Sequence, residues 1–449
     1  MIVLKFGGTS VGSVENIKKV AAIVSSSKED KIVVLSAMSG VTNTLQKISN
    51  LLSNSDIIEA KKEMSALNLK YSEVINDLFK KDETVLKAGD LLRLCDDLLT
   101  SLLTIEYSTK IEKIILAQGE IVSTNLFQLY LKETGESSEL ISAMDFMMID
   151  KNNEPDSDYI EENLTKVLSN FTSIKTFITQ GFICKNRNNE IDNLKRGGSD
   201  YTASIIGAAV GASQIQIWTD ISGMHNNDPR FVDRTFSINE VSFDEAAELA
   251  YFGAKILHPQ SIIPAKEKNI PVLLKNTFDP DAKGTLIHND ASIEKIRAIA
   301  AKDNITAIKI KSYRMLMAYG FLKKVFEVFE DNQTAIDMIT TSEIAVSLTI
   351  DDTSQLDKII QELEGFGSIE VDSDLSIICI AGNIAQNTKG VTAAIFNCLK
   401  DIPIRMISYG GSNYNLSFLV KSSDKIAVLN LLNEGLFTIK SKKNKSVLI

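Results

Sequence analysis

Lys5-Phe6-Gly7-Gly8-Thr9-Ser10 is the segment of this sequence best suited to chemistry. The apolar run MIVLKF brings in a cation, and two glycines follow before a helix-like pattern begins. Glycines let a backbone approach a ligand closely, N–H groups at a strand-to-helix turn cradle phosphate, and Lys5 adds a full charge. A plain strand-to-helix joint is the simpler alternative. The spacing from Gly7 to Gly12 resembles a P-loop, but Ser13 stands where that loop requires lysine. Arg196-Gly197-Gly198-Ser199-Asp200 is a second glycine turn that runs into a helical pattern. Arg196 there suits a bidentate pair with a carboxylate or phosphate. Asp200 suits a cation or an amino group, with ordinary helix capping by Ser199 or Asp200 as the alternative. Further polar groups sit at turns in Ser39-Gly40-Val41-Thr42-Asn43, Gln118-Gly119-Glu120, Trp218-Thr219-Asp220 and Asp228-Pro229-Arg230, and Lys255 follows a helix. Lys5, Arg196, Arg230 and Lys255 together make a basic set fit for two anionic substrates.

That set lies in an acidic chain. Lys and Arg number 48 against 58 Asp and Glu, a net charge of −10 over 449 residues. Nucleic acid and anionic membranes want a positive surface, so both are disfavoured as partners. A locally basic cleft for a small anion is not. No apolar run approaches the roughly 18 residues of a membrane span, and MIVLKFGG lacks a signal-peptide core and cleavage site. Cys95, Cys184, Cys379 and Cys398 are dispersed without a CxxC pair and read as reduced thiols. The expectation is a cytoplasmic protein. His225, His258 and His288 stand far apart without HExxH spacing, so no metal site is expected from protein ligands. HRD, DFG and GxSxG signatures are missing.

The elements that must position these turns alternate. MIVLKF (1–6), KIVVLS (31–36), KTFITQGFIC (175–184), QIQIW (214–218) and PVLLK (271–275) read as strands. Ile17, Val20, Ala21 and Val24 keep helical spacing; a long helical region runs from about 43 to 108, and 199–212 and 242–252 read as helices. Alternation of this kind predicts an α/β domain, a mostly parallel sheet sandwiched by helices, with ligands at the carboxyl ends of the strands. After about residue 293 the pattern shortens and repeats. Met338 matches Met406 and Ile350 matches Val420, each pair of strands preceded by a helix-like segment and an earlier strand. The plan is two ferredoxin-like βαββαβ units, roughly 303–372 and 373–441, with interleaving left open. Residues 1–293 are the expected large domain and 294–449 the paired small ones.

KFGGTS (5–10), LSAMSGVTN (35–43), RGGSD (196–200), WTD (218–220), DPR (228–230) and FGAKILHP (252–259) resemble, in order, the motif series of aspartokinases. The resemblance covers nearly the whole chain, since the C-terminal repeats resemble that family's ACT domains. It implies the amino acid kinase fold and transfer of the ATP γ-phosphoryl group to the β-carboxylate of L-aspartate. A carboxylate nucleophile, with a free pKa of about 3.9, needs no general base. What remains is charge neutralisation and in-line positioning. By resemblance Lys5 and Asp200 are catalytic, and Thr42, Glu120 and Arg196 hold aspartate, Glu120 at its α-amino group and Arg196 at its α-carboxylate. Lys5, Phe6, Gly7, Gly8, Thr219, Asp220, His225, Arg230, Lys255 and Ile256 hold ATP, with Mg²⁺ bound through the nucleotide. The chain departs from the family at Met224-His225, where an aliphatic residue and tyrosine are usual, and at Lys195, where glycine usually precedes RGGSD.

MLMAYGFL (315–322) and AIDMITTSE (335–343) resemble the effector site of lysine-sensitive aspartokinases. The resemblance implies lysine as inhibitor, with Asp337 and Glu343 at its amino groups and Met315, Leu322, Ile336 and Thr341 shaping the pocket. Ala318 and Ala335 stand where a lysine-inhibited relative has serines. A homodimer through the ACT repeats is implied, with a tetramer as the larger alternative. An attached homoserine dehydrogenase is not expected in this length.

Overall fold

A computed structural model describes residues 1–194, 197–252, 257–290, 296–315, 319–384 and 389–443. Two compact units divide the chain: Met1–Met224 with Asn239–Phe243 and Ile256–Ala291, and His225–Ile238 with Asp244–Lys255 and Ser292–Ile449.

The first unit opens with β1 (Ile2–Phe6), α1 (Val14–Ser26) and β2 (Lys31–Leu35). Four helices follow: α2 (Val41–Ser53), α3 (Ile57–Leu78), α4 (Asp82–Leu102) and α5 (Thr109–Glu133). Then come β3 (Ser138–Leu140), α6 (Ala143–Phe146), α7 (Ser157–Ser169), β4 (Thr176–Gln180), β5 (Ile183–Lys185), β6 (Ile191–Asn193), α8 (Gly198–Ala209) and β7 (Gln214–Thr219). After β8 (Glu240–Val241) the chain forms α9 (Phe243–Tyr251), most of which belongs to the second unit. It then completes the first unit with α10 (Ile263–Glu267), β9 (Val272–Asn276) and β10 (Thr285–Ile287). One eight-stranded sheet runs β3-β4-β2-β1-β7-β9-β10-β8. Its first six strands are parallel; only the β9–β10 pair is antiparallel. Every residue of β1, β2 and β4 is buried, which is why these strands read as unbroken apolar runs rather than alternating ones.

Helix α1 buries Ile17, Val20, Ala21 and Val24, and the Ser13 hydroxyl accepts the Asn16 N–H at 3.2 Å to cap it. Its last turn carries no cation of its own. Lys31, 3% exposed, donates instead to the Val24 and Ser27 carbonyls at 3.1 and 2.8 Å. The single helical stretch expected over 43–108 is three helices. Asn54-Ser55-Asp56 breaks the first join, with Asp56 capping α3 by accepting the Glu59 N–H. KTFITQGFIC is likewise two strands. Gly181 and Phe182 end β4, Phe182 at a left-handed φ of +66°, and β5 turns off to pair with β6 in a separate two-stranded sheet.

The second unit contains β11 (Ala298–Lys311), α11 (Phe321–Asp331), β12 (Ile339–Thr341), β13 (Ala345–Ile350), α12 (Leu356–Leu363), β14 (Ser368–Ala381), α13 (Val391–Cys398), β15 (Met406–Tyr409), β16 (Asn415–Lys421) and α14 (Lys425–Lys443). All these strands lie in one antiparallel sheet, β12-β13-β11-β14-β16-β15. Strands β11 and β14 are 14 residues long and pair along their length. The C-terminal half of β11 and the N-terminal half of β14 serve the first βαββαβ repeat; the remaining halves serve the second. Each repeat has its own core. Ile308, Val325, Phe329 and Leu348 centre the first; Ile378, Ile395, Phe418 and Leu432 centre the second. Helix α9 attaches to this unit through a buried ion pair, Glu245 to Arg297 at 3.1 Å.

Candidate active site

Parallel register places the carboxyl ends of β1, β2, β4 and β7 along one edge of the sheet, where a doubly wound fold collects ligands. The turns that leave that edge are 7–13, 36–40, 181–182 and 219–220. A cleft of about 380 Å³ opens there, lined by Gly8, Thr9, Ser39, Thr42, Glu120 and Ser199 among others. Two helix N-termini frame it. Helix α2 starts after Gly40 (φ +79°) and α8 after Gly197 (φ +76°), both glycines left-handed, so a positive dipole end from each stands at the cleft, an arrangement suited to an anion.

Lys5 and Asp200 meet beside this cleft. The Lys5 ammonium lies 2.7 Å from Asp200 Oδ1, with side chains 11% and 14% exposed. Gly7 is close enough that a β-carbon there would stand 3.5 Å from the Lys5 nitrogen. The two glycines divide their work. Gly7 donates its N–H to the Trp218 carbonyl at 3.2 Å and so fastens the turn to β7, which corrects the expectation that it is open to phosphate. Gly8 has no protein acceptor for its N–H among the described residues, and a β-carbon on it would press to 3.0 Å from the Ala37 carbonyl. Phe6 contributes backbone only. Its ring is fully buried and stacks on Trp218 at 5.7 Å between centroids.

Glu120 sits in the middle of α5, 4% exposed, with Oε2 lacking a partner among the described residues. Burial pushes its carboxyl up to about 7, against the opposing pull of the Ala37 and Glu120 backbone N–H groups and the Lys5 charge. An unpaired buried carboxylate at a cleft is a costly arrangement in the free protein and a natural seat for a cationic group. Thr42 is exposed at the start of α2. Thr219 and Asp220 end β7 and bond to each other, Thr219 Oγ1 donating to Asp220 Oδ1 at 3.0 Å.

Other expected residues fall elsewhere. His225 and Arg230 belong to the second unit. His225 is half-buried, its Nδ1 3.3 Å from Thr235 Oγ1, and burial lowers its pKa below the usual imidazole value. Arg230 is exposed, with its guanidinium forked onto Asp228 at 2.6–3.1 Å. Arg196, Lys255 and Ile256, with Lys195, lie outside the described residues. Phe182 also lines the cleft, a residue the sequence reading missed; the glycine inside an apparent strand was the available signal. A β-carbon on Gly198 would fall 2.5 Å from the Phe182 ring, so that second glycine is there for packing.

In the second unit Asp337 is nearly closed off, its side chain 1% exposed. Its Oδ1 accepts from Lys302 Nζ at 2.6 Å and Tyr251 Oη at 2.8 Å, while Oδ2 has no partner among the described residues. Lys302 also reaches Asp351 at 2.9 Å. Asp337 is therefore already paired with a cation that the sequence reading missed. Met315 and Ile336 pack on the first repeat's core. Leu322, Thr341 and Glu343 are exposed, the last beside the β12–β13 turn. Ala318 lies outside the described residues.

An amino acid kinase family model matches residues 1–276 and an ACT domain model matches residues 378–436. Lysine-sensitive aspartokinase 3 of Escherichia coli is 33% identical over 97% of this chain and 99% of its own length. The crystal structure of Escherichia coli aspartokinase III in complex with aspartate and ADP (R-state) matches at a TM-score of 0.83, covering 97% of this chain and 100% of that one. Its counterpart in complex with lysine and aspartate (T-state) matches at 0.82, covering 97% and 99%. The match runs through both the parallel-sheet unit and the paired repeats, and the chain belongs to the aspartokinases, within the amino acid kinase family.

Proposed function

We propose that this chain is a cytoplasmic aspartate kinase that converts ATP and L-aspartate to ADP and 4-phospho-L-aspartate and is inhibited by lysine. The observation that carries the reading is the Lys5–Asp200 pair at 2.7 Å beside a cleft framed by two helix N-termini. Phosphoryl transfer spreads negative charge over the equatorial oxygens, and a fixed cation with preoriented N–H donors stabilises it there. Lys5 and the Gly8 N–H supply that charge complement; Asp200 holds the ammonium in place. The aspartate β-carboxylate attacks phosphorus as it stands, without a base. Glu120 takes the substrate ammonium, Thr42 helps seat the substrate, and Arg196 takes its α-carboxylate. Thr219, Asp220, His225, Arg230, Lys255 and Ile256 hold the nucleotide, and Mg²⁺ bound through the nucleotide would offset the charge of its phosphates. The buried, unpartnered Glu120 favours a substrate with a free ammonium over an N-acylated one.

Residues 1–293 make the catalytic domain and 294–449 the regulatory one, which dimerises through its ACT repeats. Lysine binds at Met315, Leu322, Ile336, Asp337, Thr341 and Glu343, and its ammonium meets Asp337 in competition with Lys302. Steady-state kinetics with MgATP and aspartate, with the acyl phosphate trapped as a hydroxamate, tests the reading. Preference for glutamate or N-acetylglutamate overturns the substrate; rates indifferent to millimolar lysine overturn the regulation. Asp337→Asn keeps the shape of the site and removes its charge, while Lys302 retains Asp351. It is expected to raise the half-inhibitory lysine concentration about tenfold or more and leave lysine-free kcat/KM within about twofold. An unchanged inhibition curve would remove Asp337 from the site.

A further inference from the structure

The segment 225–238, which carries His225 and Arg230, is clasped by helix α14. Asn433, 4% exposed, works with both ends of its amide: Oδ1 accepts from Asn226 Nδ2 at 2.9 Å, and Nδ2 donates to the Arg234 carbonyl at 3.1 Å. Asn430, one turn earlier, donates to the Phe231 carbonyl at 3.1 Å. Asn227 Nδ2 returns a bond to the Leu429 carbonyl at 3.0 Å. Asn226 is held on all sides, since its backbone N–H and Oδ1 pair with Phe236 at 3.0 and 2.7 Å and its carbonyl accepts from Ile299 at 2.8 Å. Apolar contacts reinforce the clasp: Val232 enters the second repeat's core with Phe231 packed against it, and Phe236 meets Phe437 edge-on at 5.6 Å.

These contacts bracket Arg230. Asn226 and Asn227 are fixed on its N-terminal side, Phe231 and Arg234 on its C-terminal side, and all four report to a single helical face at 429, 430 and 433. Side-chain amides satisfied at both ends and buried specify one geometry, because each alternative leaves a polar group unpaired. Packing alone would not need asparagine at 226, 227, 430 and 433. We propose that Asn433, seconded by Asn430, is a positioning residue for the nucleotide: through segment 225–238 it sets where Arg230 presents its guanidinium, so a helix of the second repeat determines ATP affinity. This rests on the reading of Arg230 as a nucleotide ligand.

The test is steady-state kinetics of the full-length enzyme with both substrates varied. Asn433→Ala is expected to raise KM for ATP fivefold or more while KM for aspartate stays within twofold. Asn433→Asp, which keeps the acceptor for Asn226 and loses the donor to Arg234, is expected to fall between. Arg230→Ala is the control and must itself raise KM for ATP. If it does not, the nucleotide reading fails and this proposal with it. If it does, and the Asn433 variants lower only the melting temperature or shift both KM values together, the proposal alone is overturned. Should Asn433→Ala not fold, Asn430→Ala, which at a half-buried position loses its bond to the Phe231 carbonyl and one within its own helix to the Ile426 carbonyl, is expected to raise KM for ATP at least twofold, and an unchanged value there overturns the proposal equally.

Discussion

Replacing Lys5 with alanine is expected to lower kcat by about three to five orders of magnitude, the range seen when a cation is removed from a transferring phosphoryl group. Lys5 is the one described cation within a hydrogen bond of Asp200 and next to the Gly7–Gly8 turn. Its charge acts where water is largely excluded, with 11% of its side chain exposed. The substitution also strands the Asp200 carboxylate, and breaking a nearly buried pair costs about 3–5 kcal/mol of stability. Lost activity alone therefore does not separate chemistry from folding. The double variant Lys5→Ala/Asp200→Asn does, because it removes the stranded charge along with the cation. Its melting temperature is expected to recover most of the loss while kcat stays at the single-variant level. Recovery of both together would make Lys5 a structural residue, and a kcat within tenfold of the parent would take it out of the mechanism.

The parts of this molecule that were legible beforehand are those where local pattern and tertiary demand agree. The KFGGTS turn, the buried face of α1 and the doubled strand–helix plan follow from periodicity, because burial on both sheet faces or one helix face leaves a repeating trace. Asp200 was expected beside Lys5 from the resemblance alone; the structure supplies the physical reason, since both turns leave carboxyl ends or helix starts on the same edge of a parallel sheet. What stayed hidden depends on partners distant in sequence. Nothing near Asp337 foretells that Lys302, from β11, and Tyr251, from α9, both bond to its Oδ1. The full length of β11 and β14 was missed for a related reason. The N-terminal half of β14 is largely exposed, and its polar residues carry no core signature; only pairing with β11 makes it a strand. Gly7 was read as a phosphate donor, whereas a neighbouring strand's carbonyl claims its N–H. A turn motif specifies which groups are available and leaves open which of them the fold uses for itself.

Glu120→Gln is expected to make the substrate-free enzyme more stable and aspartate binding much weaker, with opposite pH signatures. Burial raises the Glu120 carboxyl from 4.5 to about 7, a shift worth about 3 kcal/mol at 1.36 kcal/mol per unit. The folded state holds this proton more tightly than the unfolded state. Its contribution is therefore present in full below the unfolded value and is lost as pH rises through the folded one. The free enzyme should lose stability between about pH 4.5 and 7. The glutamine variant, which has no charge to bury at this position, should lack that component and melt higher at pH 8. Aspartate reverses the balance. Its ammonium supplies the partner that Oε2 lacks, favours the carboxylate, and releases a proton on binding below pH 7. KM for aspartate should thus fall as pH rises from 6 to 8. The variant keeps an acceptor for the Ala37 N–H but forfeits a charge-assisted bond of about 1.5–3 kcal/mol, so its KM should rise roughly 10- to 150-fold at pH 8 and lose most of its pH dependence. Melting curves and aspartate titrations at pH 6, 7 and 8 decide it. A variant that binds aspartate like its parent, or whose KM keeps the same slope with pH, shows that Glu120 faces something other than the substrate ammonium.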